Sequence, residues 1–258
     1  MPLLGSHELL HLGKIESRGE TVRKFSPEAC VHLAWAGLPD YSLARCMENF
    51  NLGVELIKEL SDTGCQKIFV AGTCWEYGDL QGQVRESDPT RVTNLFASFK
   101  TSLRLVAESL MAPRKQDLIW GRLFFIYGPG QRKTSLIPSC YNALSHDQPF
   151  SVNTPNAVSD FIHVSDAARA IKTLIESTGV SGIFNIGSGV PATAAEVCQL
   201  VSRCLNKNGS VPDGVTAEKR GMWADVSLIK ARTGWTPQLS LEAGIQQTVA
   251  AWKGDARS

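Results

Sequence analysis

Between residues 30 and 127 short apolar runs alternate with amphipathic stretches of helical length, and this alternation limits the fold more than any other feature of the 258-residue chain. Residues 30–36 (CVHLAWA) read as a buried parallel strand that ends in a loop at Gly37, Pro39 and Asp40. A helix follows. Over residues 47–60 the apolar side chains Met47, Phe50, Val54, Ile57 and Leu60 recur at intervals of three and four, and Gly64 supplies the stop. Residues 67–71 (KIFVA) form the next strand, 94–111 a long helix closed by Pro113, and 118–127 a third apolar strand running into the turn Gly128, Pro129, Gly130. Strand, helix, strand, helix, strand implies an α/β protein: a parallel sheet with right-handed crossovers and helices on both faces.

After Gly130 the units shorten and turn residues multiply, as expected of a smaller lobe mounted on the carboxyl edge of the sheet. The sequence therefore divides at 1–130 and 131–258. Residues 161–164, a helix over 165–176 and a strand at 182–186 are expected to return to the sheet, whereas 190–205 and 226–252 read as peripheral. The stretch before Cys30 is too short for a complete mononucleotide-binding half, since one βαβ unit takes ~30 residues. It has room for one strand, at 8–12, and a helical turn. That leaves the edge of the strand at 30–36 to be covered, by residues 1–28 folding back as a strand or by a second chain.

Lys and Arg number 26 against 25 Asp and Glu, so the net charge of +1 provides no broad field for a nucleic acid or an anionic membrane. The apolar run at 118–127 is far shorter than the ~20 residues of a bilayer span and is interrupted by Arg122. Seven cysteines without a CxxC spacing encode neither a disulfide framework nor a zinc site, and no other metal site is expected. With no secretory signal pattern in the first twenty residues, the expectation is a cytoplasmic protein with free thiols. No glycine fingerprint of the GxGxxG or GxxGxxG type, which brings a dinucleotide pyrophosphate onto a helix N-terminus, occurs anywhere.

Taken in order, CVHLAW, VAGTCWEYG, FASFK at 96–100, RLFFIYGPGQ, SDFIHVSDAARA and GIFNIGSG resemble the extended short-chain dehydrogenase/reductase family, the NAD-dependent epimerase/dehydratases of nucleotide sugars. The resemblance covers residues 30–252. It implies a partial Rossmann-like parallel sheet, truncated before its first βαβ region, with a C-terminal substrate lobe. The GTCWEYG wording is most similar to reductases and epimerases of CDP- or dTDP-activated deoxysugars.

The resemblance also implies site residues. Thr73 takes the place of the hydroxyl that orients the substrate oxygen, and Lys100 that of the lysine whose ammonium lowers a tyrosine pKa. At the tyrosine place, one helical turn before Lys100, stands Phe96, which carries no ionisable group. Glu76 and Tyr127 complete the catalytic candidates. Arg220 and Arg132 are candidates for a nucleotide diphosphate, with Phe96 and Asn185 lining the substrate site, while Ser159 replaces an arginine expected before DFIHV. Cys74 and Trp75 lack the acid pair of a dehydratase. Gly187, Ser188 and Gly189 offer a turn able to cradle an anion, and His32 and His163 read as core histidines.

With neither the glycine loop nor the tyrosine, the expectation is that no cofactor binds, although NAD is the cofactor of the family. Three functions are compatible with this. One is an altered epimerase or reductase of nucleotide-sugar metabolism; another is a non-catalytic scaffold or regulatory homologue; the third is a cofactor-independent lyase, isomerase or cyclase reusing the pocket. The expected partners are a nucleotide sugar or another small molecule and, on the resemblance, a second copy of the chain in a homodimer.

Overall fold

The computed structural model describes residues 18–207 and 220–255. Its elements run α1 (Arg18–Phe25), β1 (Ala29–His32), α2 (Leu43–Asp62), β2 (Lys67–Ala71), β3 (Gly82–Val84), α3 (Leu95–Met111), β4 (Asp117–Leu123) and β5 (Phe125–Tyr127). They continue through α4 (Leu136–Ser145), β6 (Ala157–His163), α5 (Val164–Glu176), β7 (Gly182–Ile186), β8 (Pro191–Thr193), α6 (Ala194–Cys204), β9 (Arg220–Ala224), α7 (Ser227–Thr233) and α8 (Leu241–Asp255).

One sheet has the order β1-β2-β4-β7 and is parallel throughout, with Cys30 opposite Ile68, Phe69 opposite Ile119 and Gly121 opposite Phe184. Successive side chains of a strand point to opposite faces, and β2 shows this directly. Ile68 and Val70 join Leu56, Ile57, Leu60, Leu103, Ala107 and Trp120 beneath α2 and α3, whereas Phe69 and Ala71 join Ala170, Leu174, Phe184 and Ile229 beneath α5 and α7. The α/β architecture with helices on both faces is therefore as the sequence implies. Val22 of α1 is sealed into the first cluster. Helices α2 and α3 approach closely because Gly53 has no side chain: a Cβ there would lie 2.9 Å from a Leu103 methyl.

A second sheet, β3-β9-β6-β5, is also parallel, and β8 adds to β6 antiparallel. The chain crosses between the sheets: β3 and β5 lie in the second and β7 in the first.

Several expectations need correcting. The strand expected at 30–36 ends at His32 and is half-exposed, with Val31 41% and Leu33 54% accessible, because β1 is an edge strand paired only to β2 among the described residues. The run at 118–127 is two strands, since Phe124 marks the point where the chain leaves one sheet for the other. Residues 190–205 and 226–252 are not peripheral. Val197, Cys198 and Val201 of α6 pack with Ile137 and Cys140 of α4 and with Ile245 and Val249 of α8 in a core cluster of their own. Of the segment expected to fold back over β1, residues 18–25 form a helix rather than a strand; the strand expected at 8–12 lies outside the described residues. Among the described residues no helix is long and apolar enough to cross a membrane, and no three metal-ligating side chains cluster.

Candidate active site

In an open parallel sheet, ligands collect beyond the carboxyl ends of the strands. Thr73 stands two residues past β2 and begins a short 3-10 turn, Cys74–Tyr77. Its hydroxyl accepts the Trp75 amide at 3.3 Å, while the Glu76 carboxylate accepts the Thr73 amide at 3.0 Å, a reciprocal capping box that fixes the turn. Glu76 has no exposed surface. It also accepts from the Trp120 indole at 2.8 Å and from the Arg122 guanidinium at 3.0 Å. Gly72 makes this approach possible, because a Cβ there would occupy the space of the Trp120 indole nitrogen.

Arg122 explains itself by what surrounds it. The guanidinium is 2% exposed, donates to the Glu86 carbonyl at 3.2 Å and lies 4.4 Å from the Tyr77 ring centroid. Tyr77 donates in turn to Asn185 Oδ1 at 2.7 Å, and burial pushes its phenol up to about 12. The charged residue inside an otherwise apolar strand was the sequence signal for this network, since a charge buried there requires a partner.

Lys100 lies one turn along α3 from Phe96 and is 3% exposed. Its ammonium donates to the Ala71 carbonyl at 2.7 Å and sits 4.3 Å from the Trp35 ring centroid and 5.8 Å from that of Phe96. Burial pulls its pKa down from 10.5 to about 7, against the opposing pull of Glu76. Four aromatic rings close around it. Phe96 meets Trp35 at 5.2 Å, Tyr41 at 5.2 Å and Trp75 at 5.7 Å, and Tyr41 meets Trp75 at 5.6 Å. The Trp35 indole N–H is buried without a partner among the described residues. Tyr41 carried no motif in the sequence; the loop that brings it here spans only the few residues between β1 and α2.

The structure thus brings Thr73, Lys100 and Phe96 to one end of the sheet and sets other candidates apart. Glu76 is adjacent but spent on internal hydrogen bonds. Asn185 is likewise committed, its Nδ2 donating to the Val84 carbonyl at 2.9 Å and the Asp225 carbonyl at 3.4 Å while Oδ1 takes the Tyr77 proton. Tyr127 donates to the Leu241 carbonyl at 3.2 Å and packs against His163 in the cluster with Ile137 and Cys140, apart from the Lys100 box. Neither arrangement leaves a group to offer a ligand. Arg132, past β5, and Arg220, first residue of β9, are exposed. The anion cradled by the turn at 187–189 is internal: the Asp160 carboxylate takes the amides of Ser188 at 2.6 Å and Gly189 at 2.9 Å. His163 caps α5, its Nδ1 accepting the Ser165 amide at 3.3 Å.

Comparison with known proteins gives this geometry a context. The family model of the NAD dependent epimerase/dehydratase family matches residues 7–187. The chain is 29% identical over 253 residues to a dTDP-4-dehydro-6-deoxyglucose reductase of Escherichia coli, covering 92% of this chain and 78% of that protein. It is 24% identical over 235 residues to a UDP-glucuronate 4-epimerase of Thermodesulfobacterium geofontis, covering 87% and 72%. Its fold superposes on that of MoeE5 in complex with UDP-glucuronic acid and NAD, with a TM-score of 0.79 and 22% identity over 92% of this chain and 82% of that one. A dTDP-glucose 4,6-dehydratase from Bacillus anthracis in complex with NAD gives a TM-score of 0.80 and 23% identity over 94% and 77%.

These complexes overturn the expectation that no cofactor binds: proteins of this fold and family carry NAD. The missing glycine fingerprint concerns only the loop that meets the pyrophosphate, not the groups that meet the rest of the cofactor. Hydroxyl, ammonium and unpaired indole donors remain at the carboxyl ends of β1 and β2, and a family model matching residues 7–187 identifies the chain as a member of the NAD dependent epimerase/dehydratase family.

Proposed function

We propose that the protein reduces or epimerises a nucleotide-activated deoxysugar with a nicotinamide dinucleotide. The observation that carries this reading is the convergence of Thr73 and Lys100 at the end of β2, with the Lys100 ammonium held under the Trp35 and Phe96 rings. The donors fit the ribose and nicotinamide end of such a cofactor: Lys100 has N–H groups beyond the one given to Ala71, and the Trp35 indole N–H has no acceptor among the described residues. When bound, the cofactor supplies or accepts a hydride. Lys100 and Trp35 would hold it, and the aromatic box excludes water from the reacting atoms. Thr73 orients the sugar oxygen. Arg132 and Arg220 are placed on the surface of the second lobe, where guanidinium forks suit a diphosphate.

Two features narrow the reading. Cys74 is buried and Trp75 is aromatic, so no acid pair follows Thr73 and elimination of water is disfavoured relative to reduction or epimerisation. Leu43 and Met47 on α2 and Leu95 and Leu105 on α3 are exposed, which supports self-association through these two helices. A non-catalytic homologue keeping the same pocket is the second reading, favoured by Phe96 in place of an ionisable side chain.

Thermal unfolding with NADH, NADPH and dTDP-, CDP- and UDP-sugars tests the proposal, because a ligand at 100 times its Kd stabilises the folded state by about 2.7 kcal/mol. A rise in Tm with a dinucleotide and with at least one sugar nucleotide is expected. No rise with any of them contradicts it.

A further inference from the structure

Helix α3 offers no phenol to the site. Reduction of a sugar ketone needs a proton at the new alkoxide, and the side chain on α3 one turn before Lys100 is Phe96, 9% exposed and without an ionisable group. Lys100 bonds the Ala71 carbonyl and lies against the Trp35 and Phe96 rings, where it serves the cofactor rather than the sugar oxygen. The box contains one phenol, however. Tyr41 packs against both Phe96 and Trp75, at 5.2 and 5.6 Å between centroids, and the Trp75 amide is bonded to the Thr73 hydroxyl.

The other three tyrosines are placed elsewhere. Tyr77 donates a hydrogen bond to Asn185, Tyr127 donates one to the Leu241 carbonyl, and Tyr141 packs tilted against Trp252 at 4.9 Å. Tyr41 is half-buried, and its phenol oxygen makes no hydrogen bond to a described residue. Its backbone is anchored at the entry to α2: its carbonyl accepts from Cys46 Sγ at 3.6 Å, and Ser42, the next residue, caps the helix while its amide is held by Asp40 at 2.9 Å. A phenol on an anchored backbone, packed on the Trp75 ring of the turn that Thr73 begins, and without a bond to a described residue, has the features required of a proton donor.

We propose that Tyr41 is the catalytic acid of this site, supplying from the loop between β1 and α2 the phenol that Phe96 does not supply from α3. This rests on the reading that the site reduces a nucleotide-sugar ketone. A reduced nicotinamide dinucleotide, when bound, would supply the hydride to the carbonyl carbon; the C=O π pair would go to the oxygen, and the Tyr41 phenol would give that oxygen its proton. The phenolate regains a proton from water, so one ketone, one hydride and one proton give one alcohol. Thr73 donates to the same oxygen, and the Lys100 ammonium lies 5.8 Å from the Phe96 ring centroid.

The test uses the intact chain with tyrosine carrying carbon-13 at Cζ, which gives four signals for four tyrosines. The signal lost in Tyr41→Phe is that of Tyr41. Saturating dTDP-glucose or UDP-glucose, whichever calorimetry shows to bind, is expected to shift that signal and leave Tyr77 and Tyr127 in place, with no dinucleotide present. Tyr41→Phe is further expected to lose ~10²- to 10⁴-fold in kcat on a dTDP-4-keto-6-deoxysugar. Its KM should stay within about threefold, and the double variant Tyr41→Phe/Phe96→Tyr should recover at least ~10-fold. A bound sugar nucleotide that leaves the Tyr41 signal unmoved, or a Tyr41→Phe protein with full kcat, overturns the acid and leaves the reading of the site standing. Failure of both sugar nucleotides to bind overturns both.

Discussion

Three buried charges stand out at the scale of residues, Lys100 alone and Glu76 with Arg122, and each case makes a measurable prediction. Lys100 is half-protonated near pH 7 when folded but only near 10.5 when unfolded. Between those values the unfolded chain holds a proton that the folded chain has released, so the lysine's destabilising effect is complete below pH 7 and fades as pH rises toward 10.5. Lys100→Met should therefore gain stability relative to the parent as pH falls, by more than ~1 kcal/mol between pH 9.5 and 6.5 in urea unfolding. A difference that does not change with pH would contradict the depressed pKa. Glu76 and Arg122 form the second case. Arg122→Met leaves a carboxylate buried and should cost about 3–5 kcal/mol, whereas adding Glu76→Gln should return part of that loss, giving a coupling of roughly 1–3 kcal/mol in a double-mutant cycle. Thr73, Phe96 and Lys100 were legible in the sequence because a local motif places them. Glu76, Asn185 and Tyr127 were misread because hydrogen bonds to partners 44 to 114 residues away consume them, and no local pattern reports that. Trp35 reads from the sequence as a ring for burial or for stacking on a base or sugar, and only the fold sets it over Lys100.

The elements behave as their periodicity suggests, and the departures have physical causes. Helix α2 extends beyond the expected 47–60 to Leu43–Asp62 because Ser42 caps it. The apolar wording of residues 30–36 could not distinguish a central strand from an edge strand; apolar composition reports the faces of a strand, while its edges are set by which strands lie beside it. The contact of α2 with α3 depends on Gly53, so Gly53→Val should cost about 1–3 kcal/mol by displacing Leu103, whose side chain is fully buried and has nowhere to move. Chemical denaturation measures this. The outward side of the same helix pair carries Met47 and Leu105, 48% and 52% exposed. Light scattering should find a homodimer that becomes a monomer on replacing both by glutamate, without loss of helical signal.

For the whole molecule, the alternation of strands and helices determines the α/β class, and the order of short motifs carries the family. What could not be read was the second lobe, whose core is assembled from α4, α6 and α8, elements separated by up to a hundred residues and individually too short to announce a common face. The cofactor is not legible for a related reason: the glycine loop is one segment, and the groups at the sheet's carboxyl end belong to others. The central claim is that Thr73, Lys100 and the aromatic box serve nicotinamide-dependent chemistry on a nucleotide sugar. Its most direct measurement is the absorbance of NADH or NADPH at 340 nm in the presence of the protein and dTDP-4-dehydro-6-deoxyglucose. The account predicts a steady fall that requires the sugar nucleotide and drops at least ~10²-fold in Lys100→Met; a reduced dinucleotide that stays unchanged with every sugar nucleotide tried, while both ligands bind, would contradict it.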